Sequence, residues 1–83
     1  MNNVEVQITL AKYIYNHPST KNMDVVDIYD GWRKEYSGNI LEPVFMYDIL
    51  NIIDGLKTMD RELLRDSIDY DEKEILPRVT NQN

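Results

Sequence analysis

The chain has 83 residues, enough for one domain and one core, with roughly 60% of the unfolded surface available for burial at this size. A hydrophobic fraction of 42% beside 29% charged residues excludes wholesale disorder, and fifteen acids against nine Lys and Arg give a net charge of −6 that repels phosphate backbones and anionic membranes. The absence of Cys excludes a disulfide framework, a thiolate metal site and a Cys nucleophile, and a reducing cytoplasm is the expected setting.

The first segment, VEVQITLAKYIYNH, carries two patterns. Val4, Val6, Ile8 and Leu10 alternate as an edge strand would, whereas Glu5, Thr9, Lys12 and Asn16 form a polar stripe at helical spacing. The alternation stops at Leu10 and the stripe runs on for three turns, so the segment is predicted as a helix. Pro18 ends it, because Pro disfavours the α conformation in the residue before it. No basic stretch precedes an apolar run here, so a signal peptide is not expected.

HPSTKN reads as a polar connection, with Thr20 or Asn22 placed to cap the next helix. From Met23 to Tyr36 the residues Val25, Ile28, Tyr29, Trp32 and Tyr36 recur at steps of three and four and share one face, opposite Asp24, Asp27, Lys34 and Glu35. Gly31 inside this helix costs about 1 kcal/mol relative to Ala, tolerable if Trp32 packs well. Ser37-Gly38-Asn39 is a turn.

The stretch ILEPVFMYDILNIIDGL, residues 40–56, is apolar almost all round and contains no Lys or Arg. Pro43 suits the first turn of a third helix, from Glu42 to Lys57, whose polar strip of Asp48, Asn51 and Asp54 is narrow. Such a helix is expected at the centre of the fold. It is too short and too interrupted by acids to span a membrane.

Thr58 or Asp60 caps a fourth helix in which Leu64, Ile68 and Ile75 keep helical spacing while Asp71 interrupts the stripe. The pattern leaves open whether residues 60–76 are continuous or break near Asp69. Pro77 is expected to end the regular structure, leaving residues 1–76 as one helical domain and 77–83 as a disordered tail. The predicted fold is all-α, a compact bundle of four to five short helices around the central helix at 42–57.

No constellation for catalysis emerges, and the chain is not expected to be an enzyme or to need a cofactor. The single His, His17, sits in a loop before Pro18 with no Cys or strained Ser turn to accompany it. Asp24, Asp27 and Asp30 precede Gly31, but their spacing of three is a helix face, not the alternation of a Ca²⁺ loop. The run Asp69 to Glu74 lacks the Gly of such a loop and reads as a solvated surface with an Asp69–Lys73 pair; no metal site is expected. The helices around Gly38 resemble a helix-turn-helix in outline, yet no Lys or Arg occurs between Lys34 and Lys57 to reach bases or phosphates. Direct nucleic-acid binding is therefore not expected, and no phosphate-cradling Gly-rich loop occurs.

What remains is interaction. Between Asp60 and Glu74 seven acids face Arg61, Arg65 and Lys73, with Tyr70 among them. A solvated helix accounts for most of these residues. The functional alternative is a docking surface for a partner protein with a basic surface, formed by Asp60, Glu62, Asp66, Asp69, Tyr70, Asp71 and Glu72. The expectation is a small acidic cytoplasmic protein that acts as inhibitor, antagonist or adaptor by covering part of a larger macromolecule. A viral or mobile-element origin suits that profile, although no residue shows it. The alternatives are a subunit of a homo-oligomer, and a transcription regulator that would draw together Lys12, Lys21, Arg33 and Lys34.

Overall fold

The computed structural model describes residues 2–36 and 46–80. Helix α1, Asn3–Asn16, is secured at its start by a reciprocal cap: the Asn2 side chain accepts from the Glu5 N–H at 2.8 Å, and the Glu5 carboxylate accepts from the Asn2 N–H at 3.4 Å. It ends at His17, before Pro18, and the edge-strand alternative for residues 4–10 is thereby excluded. Pro18–Asn22 forms a 3₁₀ turn. Thr20 caps no helix here, since its hydroxyl is buried and donates to the His17 carbonyl at 2.8 Å.

Helix α2 spans Val25–Tyr36 and begins with the Ile28 N–H donating to the Asp24 carbonyl. Helix α3 is Met46–Lys57; the predicted turn at 37–39 and the start at Glu42-Pro43 lie outside the described residues. Of the two candidate caps before helix α4, Arg61–Tyr70, Asp60 is the one used, accepting from the Glu62 N–H at 3.1 Å, while the Thr58 hydroxyl donates back to Gly55.

Helix α4 does not break near Asp69. It continues as a π turn, Asp71–Ile75, into a last short helix α5, Leu76–Thr80. Pro77 therefore does not end the regular structure, which runs through Thr80; residues 81–83 of the expected tail lie outside the described residues. The reason is the hydrogen-bond register. In an uninterrupted α-helix the Pro77 ring would meet the Lys73 carbonyl and leave it without a donor. Widening by one residue, with the Leu76 N–H donating to the Asp71 carbonyl, restarts the helix so that Pro77 falls in a first turn, where no N–H is needed.

The all-α bundle expected from the sequence is the fold observed, but its centre is α1. Every other described helix packs against α1, which buries Val6, Ile8, Leu10, Ala11 and Ile14. Helix α3 buries one face only, through Ile49, Ile53 and Leu56; Asp48, Asn51, Asp54 and Gly55 are exposed, and Met46 and Tyr47 are 46% and 81% exposed. Helix α1 takes the central place because its apolar residues occur on more than one face, so a single neighbour cannot cover them.

Trp32 of α2 is fully buried against this helix, and its indole N–H donates to the Thr9 hydroxyl at 3.0 Å. That hydroxyl in turn donates to the Val6 carbonyl, and no buried side-chain polar atom lacks a partner among the described residues. Burial of a Trp is worth on the order of 4–6 kcal/mol before entropy, against about 1 kcal/mol net for a hydrogen bond. Burial supplies the stability, and the hydrogen bond fixes which way the indole sits.

The two helical glycines among the described residues differ in kind. A Cβ on Gly31 would lie 2.0 Å from the Tyr13 hydroxyl oxygen and 2.8 Å from Cζ, whereas one on Gly55 would meet nothing within 4 Å. Gly31 is thus the seat of the Tyr13 ring, which also stacks on His17 at 4.3 Å. Gly55→Ala should raise stability by about 0.5–1 kcal/mol, while Gly31→Ala should give no gain or a loss. In a Tyr13→Ala background Gly31→Ala should become stabilising; urea denaturation of the double-mutant cycle checks this, and equal gains at both glycines would refute the close approach.

Candidate interaction surface

The rotation of α4 about its own axis decides which acids face solvent. Leu64 and Ile68 enter the core against α1, and two polar contacts hold α4, one at its start and one just past its end. At the first, the Arg61 guanidinium donates to the Tyr15 carbonyl at 2.8 Å and lies over the Tyr15 ring, 4.3 Å from its centroid. At the second, Lys12 pairs with Glu72 at 2.8 Å. Both partners in that pair are more than a third exposed, so it contributes only about 0.2–1 kcal/mol and acts mainly on orientation.

With that rotation set, the opposite side of α4 presents Glu62, Asp66 and Asp69 at helical spacing, and beside them Leu63 and Tyr70, 59% and 56% exposed. Leu63 and Tyr70 stand two turns apart with Asp66 between them, so acids and apolar groups share one strip. Among the described residues the only ion pair along it is Arg65 with Asp66 at 3.6 Å, both largely exposed and therefore weakly coupled.

Of the seven residues expected on this surface, Glu62, Asp66, Asp69 and Tyr70 are brought together. The other three are used elsewhere. Asp60 caps α4, Glu72 is held by Lys12, and Asp71 is half-buried at the start of the π turn. The Asp69–Lys73 pair does not form, because the π turn alters the angular step after Tyr70. The position of Leu63 follows from helical spacing. Once Leu64 and Ile68 define the core face, Leu63 must lie beside Asp66 and Tyr70.

Other sequence candidates are dispersed. His17 lies 3.8 Å from Glu35, and no group of three or more metal-ligating side chains occurs among the described residues. Asp24, just before α2, and Asp27 and Asp30 on it are exposed. The basic set needed for a nucleic-acid reading is not assembled: Lys12 is paired on α1, Lys21 lies in the 3₁₀ turn, and Arg33 and Lys34 are exposed on α2. The exposed residues of α3 are acidic or uncharged up to Lys57, which donates to the Met23 carbonyl.

Burial raises the Asp71 carboxyl above the ordinary carboxylate range. It also raises the Tyr36 hydroxyl, helped by Glu35 and opposed by Lys12. For Asp71 the folded state favours the neutral acid. Its contribution to stability is present below the unfolded pKa, about 4, and is lost as pH rises through the folded value. Asp71→Asn, neutral at every pH, should therefore match the parent in thermal stability near pH 3 and exceed it at pH 7. A melting-temperature difference that is independent of pH would show that Asp71 titrates as it does unfolded.

No helix among the described residues is long and apolar enough to cross a membrane. No family model, curated protein or solved structure matches this chain.

Proposed function

We propose that this chain is a small non-enzymatic binding protein that covers a basic surface on a larger protein, as an inhibitor, antagonist or adaptor. The observation that carries the reading is the outward strip of α4, where Glu62, Asp66 and Asp69 flank exposed Leu63 and Tyr70 on a helix whose other side is fixed in the core. The two chemistries have separate tasks. Acids at a rim speed encounter with a basic partner and select its sign, and desolvated Leu and Tyr anchors slow dissociation. The net charge of −6 acts in the same direction at long range.

A second reading, a subunit that assembles with copies of itself, draws on a different observation: Met46 and Tyr47 are exposed together at the start of α3. A regulator of nucleic acid gains no support from α3, whose exposed positions lack bases before Lys57.

The test is capture from extract on the tagged chain, beside light scattering of the purified protein over a concentration series. The parent should remain monomeric and retain a basic protein less well as salt rises. The triple change Glu62→Lys, Asp66→Lys, Asp69→Lys should leave the helical circular-dichroism signal intact and weaken that retention at least about tenfold. Leu63→Ala with Tyr70→Ala should raise the dissociation rate with little effect on association. Undiminished capture by the triple variant would refute the acidic face, and a stable oligomer with nothing captured would establish the assembly reading instead.

A further inference from the structure

A second feature lies where the 3₁₀ turn meets the α3–α4 junction. Ile14, Met59 and Leu64 floor a half-open pocket, and Lys21, Lys57 and Arg61 stand around it. No acid lines it. In a chain with fifteen acids and nine Lys and Arg, three bases share this one concavity, and none of them is in an ion pair among the described residues. Two are held in place by backbone carbonyls, Lys57 on Met23 and Arg61 on Tyr15, which also tie neighbouring segments together. Lys21 is exposed and free to move onto a ligand.

We propose that this pocket binds a small organic anion, an acidic head group on a short aliphatic stem. The cations supply the recognition of charge, since a Lys or Arg hydrogen bond to a carboxylate or phosphate is roughly twice as strong as a neutral one. Two of the three are already oriented, which lowers the entropy lost on binding. Ile14, Met59 and Leu64 receive the stem. The volume, about 110 Å³, sets the size of the ligand. It is below the roughly 150 Å³ of an enclosed cavity that holds a benzene ring, but the pocket is half-open, so an extended alkyl chain can enter in part while its remainder and head group stay at the mouth, and a larger cofactor does not fit. Because the chain as a whole repels anions, binding must come from these local groups and not from the averaged field. The site is independent of the outward strip of α4.

Hexanoate and hexyl phosphate titrated into the ¹⁵N-labelled full chain at low salt, followed by amide shifts, test the site and distinguish the two head groups. Hexanol, hexylamine and inorganic phosphate serve as controls. At least one of the anions should shift the Lys21, Met59, Arg61 and Leu64 amides saturably, with a Kd on the order of 1–10 mM for a ligand this small. Hexanol and inorganic phosphate should bind at least about tenfold more weakly, and hexylamine more weakly still. Lys21→Gln should weaken anion binding at least about threefold and Lys21→Arg should retain it; Lys21 holds no part of the fold, so both variants remain folded. Equal binding of hexanol would reduce the pocket to an apolar dimple. Equal binding of inorganic phosphate would make the floor irrelevant. Either result, an unchanged Kd in Lys21→Gln, or no saturable shift with either anion would overturn the proposal.

Discussion

The burial of α1 on more than one side is the constraint on which the rest of the structure depends. Leu10 is fully buried at its middle, with Val6 and Ile14 a turn to either side, and α2, α3 and α4 each lay an apolar face against it. A helix covered in this way has few places for polar groups, and the two it carries near Trp32 are both used. Thr9 receives the indole N–H, and Tyr13 sits over Gly31. Together they set the approach and rotation of α2 on α1. Apolar burial alone is non-directional and would leave both adjustable.

The C-terminal helical run shows how one backbone irregularity divides a charge cluster. The acids between Asp60 and Glu74 are nearly contiguous in sequence, yet they take different roles in space. Before the π turn, Glu62, Asp66 and Asp69 face water; at and after its start, Asp71 is half-buried and Glu72 reaches Lys12. Within the turn that accommodates Pro77, Glu72 is the acid engaged with α1, and Glu74 stays exposed. The surface that remains is narrower than the full cluster but better defined, with Leu63 and Tyr70 beside the acids.

Charge is also segregated at the level of the molecule. Near the start of α4, Arg61 turns back toward Tyr15 and shares a pocket with Lys21 and Lys57, while Glu62 begins the acidic strip on the outward side. Net charge does not reveal this. An average of −6 describes encounter at long range, and a pocket is governed by the groups within a few ångströms of it.

The elements legible in residue order are those that depend on neighbours along the chain. The polar stripe of α1 and its end at Pro18, the one-sided periodicity of α2 and the Asp60 cap are local features, and each was legible. So was the all-α class, because helical periodicity sets which face must be covered. What covers each face is a property of packing, and there the reading of 42–57 as the central helix gave way to α1. An apolar composition does not state how many neighbours a helix will have. Gly31 read as a helix weakness because Tyr13 is far from it in sequence, and Pro77 read as an end because a π turn leaves no residue pattern of its own. The acidic cluster and its neighbour Leu63 were visible in the sequence, but only the tertiary structure shows that Asp60 is taken by a cap and Glu72 by Lys12, while Glu62, Asp66, Asp69 and Tyr70 face solvent opposite the buried Leu64 and Ile68. The cationic pocket had no signature at all, since Lys21, Lys57 and Arg61 belong to separate elements and only chain packing brings them together.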